Sequence, residues 1–215
     1  MSPLHNAVQQ AFAASGSLAQ ADPGYTEREV QSRMALAVAE AIDGRGTLVA
    51  EAGTGVGKTF AYLVPTLLSG ARALISTATK SLQDQLFLRD LPRLRDALGL
   101  PTTVALLKGR ASYLCTHRMK QARHTIDLGD RWAVRALAKV ETWTQLTATG
   151  DLAEIDGLDE RSSVIPLVTS TRENCLGSEC PDYRGCHVMK ARRDAMAADV
   201  VVVRSEERRV GKECA

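Results

Sequence analysis

Aromatic residues are scarce: three Phe, four Tyr and two Trp make up 4% of the 215 residues. The core must therefore be mainly aliphatic, and base stacking has few positions open to it. Long apolar runs are missing too. Stretches such as Val200–Val203 fall far short of the ~20 residues that cross a bilayer. The opening MSPLHNAVQQAFAASGSLAQ has no basic segment leading into an apolar one, which excludes an ordinary secretory signal. A cytoplasmic protein with no membrane association is expected. An excess of either charge is also absent. With 27 basic and 25 acidic side chains the net charge is +2, so any nucleic-acid footprint has to be local. Five cysteines are an odd number, which argues for reduced thiols or a metal site rather than a disulfide framework.

What is present is an alternation of strand and helix signals. Residues 1–24, rich in Ala, Ser and Gln, read as a flexible N-terminus. Thr26-Glu27-Arg28-Glu29 has capping-box spacing, and the helix it would open carries Val30, Met34, Val38 and Ile42 on one face before Gly44 and Gly46 stop it. Thr47–Ala50 reads as a short buried strand, Thr59–Leu68 as a helix that Pro65 kinks or shortens, and Ala73–Thr77 as a second strand. Ser81–Asp90 is a helix broken at Pro92, and Val104–Leu107 and Val200–Val203 complete the strands. The pattern is that of a parallel α/β sheet. More than ninety residues separate the last two strands, too many for a loop, and they hold a helical stretch at Arg131–Thr147 and an acidic connection at Asp151–Glu160.

Between the first strand and its helix lies Ala52-Gly53-Thr54-Gly55-Val56-Gly57-Lys58-Thr59, which fits the P-loop pattern except that Ala52 stands where Gly is usual. Gly53, Gly55 and Gly57 allow the backbone to turn its N–H groups inward around phosphate, and the following helix adds its positive end. Lys58 is placed for the β- and γ-phosphates of a nucleotide, and Thr59 for Mg²⁺. These two are the candidate catalytic residues.

Four cysteines fall inside the long connection as C-x59-C-x4-C-x5-C: Cys115, Cys175, Cys180 and Cys186. Four thiolates without a paired histidine suit either a [4Fe–4S] cluster or Zn²⁺. His117 and His187 beside them read as surface residues. Arg110, Arg118, Lys120 and Arg123 near the first cysteine, with Lys190, Arg192 and Arg193 after the last, form the local basic groups that a single strand of nucleic acid would need.

Glu51 followed by Ala-Gly-Thr-Gly-x-Gly-Lys-Thr resembles the phosphate loop of XPD/DinG-type superfamily 2 DNA helicases. Further stretches extend the resemblance. Arg28-x-x-Gln31 is similar to the family's Q-motif-like pair, which implies a contact with adenine. Ser76–Leu86 resembles its motif Ia region, which implies that Thr77 and Thr79 touch DNA. Lys108-Gly109-Arg110-Ala111-Ser112-Tyr113-Leu114-Cys115 resembles the run leading to the first cluster ligand, with Lys108 and Arg110 as further DNA contacts. The resemblance spans about Tyr25 to Val203. It implies a RecA-like lobe over 25–109, a mainly helical iron–sulfur insertion over 110–190, whose [4Fe–4S] cluster is held by the four cysteines, and a return to the lobe over 191–203. Arg28, Gln31 and Glu51 to Thr59 would then bind ATP and Mg²⁺. The implied activity is ATP-driven 5′-to-3′ unwinding of single-stranded or forked DNA in repair. Two other readings stay open: an ATPase that translocates without unwinding, and a zinc-stabilised DNA-binding module with a vestigial loop. The last twelve residues, Arg204–Ala215, change composition abruptly, and RSEERRVGKEC reads as a translated sequencing adapter. The family's Asn-His segment and DEAH box are expected beyond Val203, so the 215 residues read as an inactive N-terminal fragment.

Overall fold

The computed structural model describes residues 2–126 and 130–205. They form two compact units, one running to Leu106 and completed by Ala198–Ser205, the other Leu107–Ala197. The adapter-like segment after Ser205 lies outside the described residues. Arg204, the first residue of that segment, is the last of a strand and pairs with Thr77.

The first unit is built on three parallel-sheet strands in the order β1-β3-β2, where β1 is Ala73–Thr77, β2 Val104–Leu107 and β3 Val200–Arg204. β1 runs parallel to β3, with Ala73 opposite Val200 and Ser76 opposite Val203. β3 is the central strand, and all four of its valines are buried, as a strand covered on both faces requires. It is pinned at its start: Val200 N–H donates to Thr103 O at 3.0 Å, and Ala73 N–H to Asp199 O at 2.8 Å. The Asp199 carboxylate accepts from both the amide and the hydroxyl of Thr103, which holds its pKa below the usual carboxylate value.

The expected strand over 47–50 does not form. These residues are exposed, Val49 by 93%, and no described strand pairs with them. An extended segment whose N–H and C=O groups lack a neighbouring strand gains nothing from its apolar side chains. Residues 1–24 are likewise corrected. Ser2 caps α1 (Pro3–Phe12), its hydroxyl accepting from His5 N–H at 3.0 Å, and Pro3 occupies the first turn. Leu4, Val8, Ala11 and Phe12, with Leu18 of α2 (Ser17–Ala21), are buried in the core.

Helix α3 (Glu29–Asp43) begins after Arg28, so Thr26 is not its cap. Its buried stripe is Gln31, Ala35 and Ala39, one position round from the large residues the pattern singled out; Val30 is 48% exposed. Two alanines let α3 pack closely on α4 (Lys58–Leu68), whose Ala61 is also buried. α4 continues past Pro65. The apolar face Leu63, Val64 and Leu67 is fully buried, and Thr66 Oγ1 donates to Tyr62 O one turn back. Nor does Pro92 end a helix. α5 (Lys80–Gln85) passes through a π-helical turn, Leu86–Asp90, into α6 (Leu91–Leu98), where Pro92 sits in the first turn and lacks only an N–H.

The second unit is mostly helical: α7 (Thr116–Thr125), α8 (Arg131–Thr144), the short α9 (Ile165–Val168) and α10 (His187–Ala197). Its own core gathers Leu114, Met119, Ala133, Leu137, Val140, Ile155, Val164 and Val168. Asp130 caps α8 through bonds from Trp132 and Ala133 N–H. No described helix is long and apolar enough to cross a membrane.

Candidate functional site

The glycine loop lies at the N-terminus of α4, and its shape depends on two left-handed glycines, Gly55 (φ 79°) and Gly57 (φ 84°). Gly57 is doubly constrained, since a Cβ there would lie 2.1 Å from Gln31 Nε2. That amide donates to Gly57 O at 2.9 Å, and Arg28 Nη1 donates to Gly55 O at 2.6 Å. The Arg28/Gln31 pair, the N-cap and the first turn of α3, thus braces the phosphate loop itself, a role that the sequence pattern did not suggest. Gln31 is buried and Arg28 exposed. Lys58 Nζ donates to Ala52 O at 2.6 Å, closing the loop across its mouth. Gly57 O also receives Phe60 and Ala61 N–H, so the first turn of α4 is anchored to the same carbonyl that Gln31 holds. The Thr59 hydroxyl is shared with Tyr62, whose pKa is raised by burial against that bond. Glu51, Gly53 and Thr54 are exposed, and Ala52 and Val56 half-buried.

Thr77 is buried at the end of β1, its hydroxyl directed to Thr79 O and Val203 O. Thr79 is exposed, and its Oγ1 caps α5 by accepting from Leu82 N–H.

In the second unit all four cysteines line one cavity of about 310 Å³, together with Arg110, Tyr183 and Arg192. Burial raises the Cys115 thiol pKa, a backbone hydrogen bond involving Arg118 opposes this, and the other three thiols raise it further. The four thiols thus surround a common space. Among the described residues no group of three or more His, Cys, Asp or Glu is gathered tightly enough to hold one metal ion. His187 is half-buried rather than superficial, and burial, then Lys190, lower its pKa. His117 also borders the cavity, with Asp182 at 3.8 Å.

Most of the basic residues near the cysteines have partners. Lys120 pairs with Asp182 at 2.6 Å, Arg123 with Glu141, Lys190 with Asp194, and Arg118 donates to Pro166 O. Lys108 lies in a buried ion pair with Asp151, Nζ to Oδ2 2.7 Å, the two side chains 8% and 10% exposed. Sequence reading missed this pair because the two residues stand 43 positions apart with no shared periodicity. Trp132 was missed as well. It is 81% exposed, with the Arg135 guanidinium 6.0 Å from its ring centroid.

A glycine cradle, closed by a lysine at a helix N-terminus beside a parallel sheet, defines a P-loop nucleotide-binding protein. The DEAD/DEAH box helicase family matches residues 28–132, a span that holds the loop, β1, β2 and the first cysteine. Over 198 residues, 92% of the chain, it is 48% identical to the ATP-dependent DNA helicase YoaA of Haemophilus influenzae, covering 31% of that protein. It is 49% identical to YoaA of Escherichia coli over 89% of the chain and 30% of the relative, and 39% identical to the ATP-dependent helicase DinG of Mycobacterium tuberculosis over 86% and 31%. The chain belongs to the DEAD/DEAH-box helicases of XPD/DinG type. It spans about a third of the length of these relatives.

Proposed function

We propose that the protein is the ATP-binding part of a cytoplasmic DNA helicase that moves 5′ to 3′ on single-stranded or forked DNA, with an iron–sulfur domain inserted in its RecA-like lobe. The observation that carries the reading is the braced cradle, with Gly55 and Gly57 left-handed, their carbonyls held by Arg28 and Gln31 at the start of α3, and Lys58 opening α4. Lys58 and the loop's N–H groups would hold the phosphates of ATP and the Thr59 hydroxyl its Mg²⁺, while Gln31 keeps its amide oxygen for the adenine edge. Bound ATP supplies the free energy of movement. The brace fixes the backbone of the loop before nucleotide arrives, which lowers the ordering cost of binding.

Cys115, Cys175, Cys180 and Cys186 line one cavity, and their one-plus-three spacing along the chain suits the corners of a [4Fe–4S] cluster. When bound, such a cluster crosslinks the turn-rich segment from Cys175 to Cys186 to the distant Cys115. For DNA, Thr79 and Arg110 remain in the proposal and the displayed Trp132 adds a stacking face. Thr77 and Lys108 instead serve the interior.

The test is phosphate release with and without single-stranded DNA. DNA-stimulated turnover is expected from the full-length protein and is abolished by Lys58→Ala. The 215-residue chain contains no Asp-Glu-Ala-His segment to supply the metal-holding acid, so it is expected to bind nucleotide without turning it over. DNA-stimulated turnover that survives Lys58→Ala would defeat the reading.

A further inference from the structure

One cysteine is separated from the other three by 59 intervening residues, so their relative position depends on contacts between distant segments. The second unit supplies one residue that touches both sides. Gly150 is buried with φ 71°. Its carbonyl accepts Leu114 N–H at 2.8 Å, next to Cys115, and its Cα face is covered by the ring of His187, next to Cys186. A Cβ on Gly150 would lie 2.2 Å from His187 Cγ and 2.6 Å from its Cβ and Cδ2, against 3.4–4 Å for ordinary contact.

The surroundings hold this glycine firmly. Thr147 Oγ1 accepts Gly150 N–H at 2.8 Å. Tyr113 and Asp151 form an antiparallel bridge, Lys108 N–H donates to the Tyr113 hydroxyl at 3.0 Å, and Asp151 carries the buried ion pair with Lys108. On its other side Cys115 N–H donates to Val168 O at 2.7 Å. The backbone of Cys115 is therefore clamped by residues 150, 151 and 168, whereas Cys186 leads directly into α10 through the residue that rests on Gly150.

We propose that Gly150 and His187 are positioning residues for the cysteine centre, setting the separation of Cys115 from Cys186. This rests on the reading of the four cysteines as one metal centre. A side chain at 150 must push His187 back by about 1.2 Å to regain ordinary contact, and Cys186 is its covalent neighbour. Metal–thiolate bonds have fixed lengths, so a ligand displaced that far is lost or strained. The close approach needs glycine for two reasons, its left-handed φ and the ring above it, and the two can be separated by experiment.

The test uses the 215-residue chain, reconstituted anaerobically with iron and sulfide, and reads iron and sulfide per chain together with circular dichroism of the metal-free chain. Gly150→Ala is expected to keep its metal-free helical signal and to lose metal affinity on the order of ten-fold. Gly150→Ala with His187→Gly removes every side-chain atom that the new Cβ meets, the His187 Cβ at 2.6 Å included, and is expected to recover part of the iron. Wild-type iron content in Gly150→Ala would overturn the proposal. So would a double variant no better than the single one, since the left-handed strain alone would then explain the loss. Zinc without sulfide in the unaltered chain would defeat the iron–sulfur reading only; the same variants then report the positioning role through zinc retention.

Discussion

Replacing Lys108 with Met separates an interior role from a DNA contact. The ammonium and the Asp151 carboxylate are 2.7 Å apart, with their side chains only 8% and 10% exposed. Removing Lys108 leaves the buried Asp151 carboxylate without its counter-charge, at a cost of about 3–5 kcal/mol. Removing both charges is far milder. Lys108→Met with Asp151→Asn keeps an acceptor for Ala153 N–H, which Asp151 Oδ1 receives at 3.1 Å, and should recover all but about 1 kcal/mol. The shortage of aromatics makes the assay clean. The only two tryptophans, Trp132 and Trp143, both lie in the second unit, so tryptophan emission during urea unfolding reports that unit alone. The expected order of stability is wild type, then the double variant, then Lys108→Met. A loss below about 1 kcal/mol in Lys108→Met, accompanied by weaker DNA binding of the full-length protein, would place the ammonium on a phosphate and refute the interior role.

In the phosphate loop, Gly57→Ala combines a left-handed penalty with a Cβ 2.1 Å from Gln31 Nε2, which ejects the brace. About 2 kcal/mol is expected, or roughly thirty-fold in affinity for a fluorescent nucleotide, and an unchanged affinity would refute the brace. Asp199 is held below the usual carboxylate value by Thr103, so its contribution to stability is present above the ordinary value of about 3.9 and is lost as pH falls beneath it. Wild type and Asp199→Ala, followed by far-ultraviolet circular dichroism, should therefore differ in urea midpoint at neutral pH and converge in acid; a gap that persists in acid contradicts the sign.

The strands at Ala73–Thr77, Val104–Leu107 and Val200–Val203 were legible because aliphatic runs bounded by turns have few other uses. The glycine loop and the four cysteines were legible as motifs, since their spacing carries the chemistry. What escaped has physical causes. Thr47–Ala50 has a strand's composition, yet pairing is a property of two segments, and composition reports on one. The α3 stripe was placed one residue off because large side chains dominate a hydrophobic pattern, whereas close helix packing selects small ones such as Ala35 and Ala39. The first helix was readable after all: Ser2 and Pro3 form a start signal, and Leu4, Val8 and Ala11 share a face. An alanine- and glutamine-rich segment hid it. The Lys108–Asp151 pair and the Gly150–His187 contact join positions remote in sequence, and no local pattern announces them.

The order β1-β3-β2 has a consequence for how the chain is made. The two outer strands are synthesised first, and the strand that joins them emerges only after Leu107–Ala197. At 5–20 residues per second that delay is on the order of 5–20 s. Throughout it β1 and β2 have no common neighbour, and their inner edges are open to pairing with other chains. The intervening domain, with a core of its own, can close before the sheet does, which shortens the loop that β3 must bridge. The three described strands of the nucleotide-binding unit are therefore joined only after the inserted domain has been synthesised. A cysteine variant that delays folding of that domain would therefore appear first in the cell as aggregation of the nucleotide-binding lobe.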